Sequence, residues 1–137
     1  MHPTTLRLVV LPFLDLSGEL DGGPFADTLT ELLISRLAAR PLLRVVSRTS
    51  AMHYKHSRRR LPEIARELDV SRVVEGSVLR SERSIQVVVR LVDPATELLE
   101  LSRIYVWDAG NAAGLESKIV EGIAIDIESA LHPEAGR

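Results

Sequence analysis

The sequence has no cysteine. That excludes a disulfide-stapled scaffold, a thiolate zinc site and a cysteine nucleophile. Aromatic residues make up only 4% of the chain, so any core must be built from Leu, Val and Ile. No uninterrupted apolar run approaches the ~18 residues that read as a membrane-spanning helix. The stretch from Leu8 to Leu16 is broken by Pro12 and Asp15. The first five residues, Met-His-Pro-Thr-Thr, lack the cationic segment that opens a secretory leader. Neither sign of charge dominates: 17 Lys and Arg face 19 Asp and Glu, a net charge of −2. A nucleic-acid-binding domain ordinarily carries a clear basic excess.

What remains is an ordinary globular composition, 45% apolar and 26% charged over 137 residues. That length fits one domain and suffices to bury a core without metal or cross-links. Residues 1–5 and 132–137 read as tails around a domain spanning 6–131.

Leu6 to Phe13 is a short β-branched run, as expected of a strand buried on both faces. A Gly- and acid-rich loop follows, from Asp15 to Gly23. Pro24 opens a helix, with Asp27 near its positive end. Phe25, Leu29, Leu32, Leu33 and Leu37 form its apolar face, and Pro41 ends it. Leu42 to Ser47 is a second strand, completing a βαβ unit. A helical turn is expected near 49–54 and a short helix over 61–68, with Ile64, Ala65 and Leu68 inward. Val70 to Leu79 is a third strand.

The pattern then changes to hairpins. Ser81 to Ser84 reads as a turn, Ile85 to Val92 alternates at period two, and Asp93 to Thr96 is a second turn. Leu98 to Trp107 is a fifth strand, with Tyr105 and Trp107 expected on one face with Leu99 and Leu101. A helix over 111–131 carries Leu115, Ile119, Ile123, Ile127 and Leu131 at intervals of four. The expected fold is α/β (α+β): one domain with a mixed five-stranded sheet in the order β-α-β-α-β-β-β-α. Its first half is parallel, its second half an antiparallel meander, and its helices pack on the sheet.

Five segments, in order, carry a resemblance. They are Val10-Leu11-Pro12-Phe13 with Asp15-Leu16-Ser17-Gly18; Phe25-Ala26-Asp27 with Leu29-Thr30-Glu31; Arg44 to Ser50; Glu67-Leu68-Asp69-Val70 leading to Val74-Glu75-Gly76-Ser77-Val78; and Val89 to Thr96. Over residues 6–131 the chain resembles the TolB-like (FlgO-like) amino-terminal domain of multidomain bacterial signalling and transcription regulators. In that family the domain accompanies TPR repeats, adenylate cyclase, kinase or winged-helix domains. The sequence departs from the family pattern at Asp15, where Asn is usual, at Thr28 and Glu97, where Gly is usual, and at Leu101, where Trp is usual. The resemblance implies an accessory sensing or contact role and no catalytic residues.

The residues themselves point the same way. There is no Gly-x-Ser-x-Gly elbow, and the four histidines are scattered. His53 and His56 are spaced for one helical face but have no evident third ligand, so no metal and no cofactor are expected. Asp15, Ser17, Gly18, Gly22, Gly23 and Asp27 form a candidate ligand loop, since open α/β sheets bind ligands at the carboxyl ends of strands. Its spacing is not that of a phosphate loop, and its acids repel phosphate. Lys55, Arg58, Arg59 and Arg60 form a candidate basic interaction loop, whose ordinary reading is a solvated surface segment. Glu75 and Arg90 are placed to pair across a hairpin.

These readings rank a non-catalytic sensor or protein-interaction domain of a larger regulator first. Its partner would be another domain of the parent chain or a separate protein. A nucleic-acid module using residues 55–60 ranks second, against the acidic balance of the rest of the chain. Small-molecule or nucleotide binding at the loop after the first strand ranks third. No membrane contact is expected of this segment. The compartment is cytoplasmic by default, or periplasmic if the domain comes from a membrane-bound regulator.

Overall fold

The computed structural model describes residues 4–18, 23–108, 110 and 114–132. The elements run β1 (Leu6–Val10), β2 (Leu14–Asp15), α1 (Gly23–Ala38), β3 (Leu43–Val45), α2 (Arg48–Met52), α3 (Leu61–Leu68), β4 (Arg72–Arg80), β5 (Ser84–Asp93), β6 (Leu98–Asp108) and α4 (Leu115–Leu131). The spatial order is β3-β1-β4-β5-β6, with β2 pairing separately with β4. β1 lies parallel to both β3 and β4, while β4, β5 and β6 form an antiparallel meander.

Parallel strands need covering on both faces, and Leu8, Val9 and Val10 of β1 are all fully buried. The two crossovers, from β1 to β3 through α1 and from β3 to β4 through α2–α3, run in opposite directions along the sheet. Right-handed connections therefore place them on opposite faces. The α1 layer contributes Phe25, Leu29, Leu33 and Leu37 to the core, and α4 adds Ile119, Val120, Ile123, Ala124 and Ile127. On the other side, α3 contributes Ile64 and Ala65. Arg36 and Arg40 of α1 clasp Glu121 of α4 at 2.5 and 3.1 Å, and Arg40 also caps its own helix by donating to the Arg36 carbonyl.

The mixed α/β architecture agrees with the expectation, with three local corrections. The first strand does not run to Phe13. Its pairing breaks after Val10, and Leu14–Asp15 resumes as a separate parallel pairing with Ser77 and Val78. The sheet thus has a sixth, two-residue strand. Asp27 is not in the first turn of α1, which begins at Gly23 and contains no acid there. Leu99 does not share a face with Leu101, because a bulge opposite Leu91 and Val92 skips Glu100 and turns Leu99 over. The final helix begins at Leu115, and the residues 111–113 that were expected to start it lie outside the described residues.

Candidate functional site

The break after β1 is fixed by one buried side chain. The Thr30 hydroxyl accepts from the Phe13 amide at 2.9 Å and donates to the Ala26 carbonyl at 2.8 Å. It anchors the end of β1 to α1 and leaves no polar group unpaired at a fully buried position. Beyond it, Asp15 accepts from the Ser17 amide at 2.9 Å, and the Ser17 hydroxyl accepts from the Arg80 amide at 2.7 Å. Two of the three side chains named for ligand binding, Asp15 and Ser17, are thus engaged in shaping the loop and tying it to the end of β4. Gly18 turns the chain at φ 67°, a conformation that favours glycine. Gly22 lies outside the described residues, and Gly23 is the first residue of α1.

Asp27 has a different partner. Its carboxylate accepts from the Lys55 ammonium at 2.7 Å. The structure therefore joins the two candidate loops, which are far apart in sequence. A crevice of about 270 Å³ lies at this junction, lined by Pro12, Phe13, Asp15, Asp27, Lys55 and His56. It sits at the carboxyl end of β1, where ligand sites occur in open α/β sheets. It offers two carboxylates, an ammonium and an imidazole around an apolar floor, a lining suited to a small polar molecule.

The rest of the basic run is largely neutralised. Arg59 bridges Glu63 and Glu67 on α3, and those contacts raise its pKa, the Glu67 hydrogen bond most of all. Arg60 reaches Glu97 in the β5–β6 turn at 2.9 Å. Only Arg58 of the four cations makes no ion pair with the described residues. A run that reads as a basic patch is folded against acids, which removes most of its attraction for phosphates. His53 caps α2 and His56 lies beyond it at φ 63°, so the two do not share a helical face. No cluster of metal-ligating side chains is present among the described residues.

Glu75 and Arg90 pair across the β4–β5 hairpin at 3.2 Å. Tyr105 stacks on Trp107, with ring centroids 5.6 Å apart, and donates its hydroxyl to Asp126 of α4 at 2.6 Å. Burial, then the hydrogen bond to the Asp126 carboxylate, pushes the Tyr105 phenol well above its usual value. These aromatics cover the sheet under the last helix, as expected.

Two features escaped the sequence. One is a cavity of about 570 Å³ between α3, the start of β4 and the β5–β6 turn, lined in part by Ala65, Arg66, Val70, Arg72 and Pro94. Arg72 is held at its rim by Glu100 at 2.5 Å. The other is the face of the meander that the described helices leave uncovered. Strand register places Leu14, Ser77, Val88 and Ile104 in one row and Leu79, Gln86 and Val106 in the next. Both rows lie opposite Val87 and Tyr105, which face the α1 and α4 layer. Leu14 is 53% exposed, Leu79 44%, and Ile104 and Val106 each 63%. A meander solvated on one face ordinarily alternates apolar with polar, whereas here the outer rows are mostly aliphatic.

Comparison with known proteins fits this picture. No family model matches the chain. A protein of Rhizobium meliloti named putative adenylate cyclase 3 is 36% identical over 94 residues, which is 69% of this chain. The chain spans only 16% of that protein's length. Among solved structures, TolB from Acinetobacter baumannii superposes with a TM-score of 0.65 at 12% identity, covering 95% of this chain and 29% of TolB. Lipoprotein GNA1162 from Neisseria meningitidis gives 0.62 at 15% identity, covering 90% of this chain and 99% of its own. The LpoB C-terminal domain from Salmonella enterica gives 0.60 at 17% identity, covering 77% and 84%. The chain has a TolB-like fold. No helix among the described residues is long and apolar enough to cross a membrane.

Proposed function

We propose that this chain is a non-catalytic protein-interaction domain of a larger bacterial signalling or transcription regulator, and that it docks another folded domain of its own polypeptide. The observation that carries this reading is the uncovered aliphatic face of the meander. Exposed apolar patches on a folded domain mark contact surfaces, and Leu14, Leu79, Ile104 and Val106 are large aliphatic side chains exposed on two adjacent rows of one sheet face. The relative named as an adenylate cyclase supports the setting, since the matched stretch is a small part of a much longer protein. The polar groups at the β1–α1 junction are spent on loop anchoring and on the Asp27–Lys55 pair, an arrangement that favours architecture over catalysis.

The test is amide hydrogen exchange on the isolated domain and on the full polypeptide containing it. Slowed exchange is expected over 86–90 and 102–106 in the longer protein, and Ile104→Asp should abolish it while the isolated domain stays folded. Equal exchange in both proteins would overturn the reading. The crevice beside Asp27 favours small-molecule sensing as a second reading. Protection confined to residues 12–15 and 55–56 on adding a small ligand, and lost in Asp27→Asn, would replace the first reading with the second.

A further inference from the structure

The two edges of the sheet differ in a way that has a consequence for assembly. β3 is an edge of only three residues, and short edges resist further pairing. β6 is eleven residues long, and none of the described residues pairs along its outer side. Natural sheets blunt such edges with prolines, bulges or charges. In β6 the bulge at Glu100 blunts only the beginning. From Leu101 to Asp108 there is no proline, and the only charges are Arg103 and Asp108.

We propose that the 102–108 segment of β6 pairs antiparallel with the same segment of a second copy of this chain, about a two-fold axis at Tyr105. An antiparallel two-fold pair keeps each sheet face with its counterpart, so paired residues must come from one face. Centred on Tyr105, Ile104 faces Val106 of the second copy and Val106 faces its Ile104, joining the exposed aliphatic rows. On the opposite face Arg103 meets Trp107 of the second copy, a cation over a large aromatic ring, and on the aliphatic face Ser102 meets Asp108. No like charges oppose one another. The registers centred nearer the start of the strand are worse. Centring on Arg103 sets that cation against itself, centring on Ile104 brings Asp108 toward Glu100, and registers nearer the strand's start run into the bulge. Residues at the axis already hold their conformations, because Tyr105 is fixed by Asp126 and by stacking on Trp107. The paired segments bury less area than a standard interface, so association belongs at the weak end. The edge shares Ile104 and Val106 with the outer face assigned above to a partner domain, but it pairs through the backbone, so pairing would leave that face open and double its width.

Sedimentation velocity over roughly 10–500 µM protein tests the idea. Wild type is expected to shift from monomer toward dimer across that range. Two double variants then probe the register. Ile104→Lys/Val106→Lys places like charges at both paired positions, whereas Ile104→Lys/Val106→Glu places opposite charges there. Both remove the same apolar groups, so a loss of general stickiness affects them equally. The first should dimerise at least about tenfold more weakly than the second, with circular dichroism confirming that both are folded. A wild type that stays monomeric at the highest concentration overturns the proposal. So do double variants that associate equally. Neither result bears on docking of a partner at the outer face, which protection over 86–90, in the interior strand β5, reads separately.

Discussion

A methyl group added at Gly76 would lie 2.2 Å from the Val88 carbonyl oxygen and 2.6 Å from the Phe13 ring. The ring is buried in the core on a backbone held by Thr30 at the Phe13 amide, and the carbonyl belongs to the neighbouring strand, so neither retreats easily. Gly76→Ala should therefore destabilise the domain by ~2–3 kcal/mol, read as a lower urea midpoint with an unchanged slope. A loss below ~0.5 kcal/mol would show that the β4–β5 pairing relaxes more easily than this packing implies. The same scale explains the departure at Glu97. The family that the sequence resembles has glycine there, and Glu97 adopts φ 61°, where glycine carries no steric cost. Its carboxylate compensates in part by accepting from Arg60.

At the scale of elements, α1 and α4 are clasped by Arg36, Arg40 and Glu121. The Arg36 hydrogen bond, then that of Arg40, holds the Glu121 carboxyl below its ordinary pKa of 4.5. A lowered folded-state pKa contributes stability that is present above the unfolded value and lost as pH falls through the folded one. Glu121→Gln should thus be less stable than wild type at pH 7, with the gap closing as pH drops below about 4.5. Because these side chains are about 40% exposed, the difference at neutral pH should be at most about 1 kcal/mol. Paired thermal melts at pH 7 and pH 3 would reveal it, and a gap that persisted at pH 3 would assign the effect to something other than charge. Most elements were legible in the sequence because their signals are local. Pro24 and Pro41 bracket α1, period-two alternation marks β5, and intervals of four mark α4. Two features were not legible. β2 is two residues long and exists only because Ser77 and Val78 lie beside it. The bulge in β6 is equally silent, since Leu98, Leu99 and Leu101 offer aliphatic side chains to either register.

Across the whole molecule, charge that looks segregated along the chain is mixed in space. The candidate basic loop was legible as a run, but its meaning lay in Asp27 and Glu97, partners distant in sequence, and in Glu63 and Glu67, four and eight residues beyond Arg59. Replacing Arg58, Arg59 and Arg60 together by Glu should leave the domain folded but lower its denaturation midpoint, because new carboxylates would face Glu63, Glu67 and Glu97. Replacing them by Gln should lower it less than half as much. Denaturation curves of the two triple variants make the comparison, and equal losses would mean that the ion pairs contribute nothing. The candidate ligand loop was legible only in position. Nothing local announces that Asp15 and Ser17 are occupied with backbone amides, or that Asp27 closes on Lys55.

The place of β1 in the sheet also bears on how the chain comes off the ribosome. Of the strands of this domain β1 is made first, yet it sits in the interior of the sheet, with β3 on one side and β4 on the other. Its register with β4 pairs Leu8 with Arg72 and Val10 with Val74. At about 5–20 residues per second, β1 waits several seconds for that neighbour to be synthesised. Until then Leu8, Val9 and Val10 have an open flank, and the nascent chain depends on α1 and β3 to shelter them.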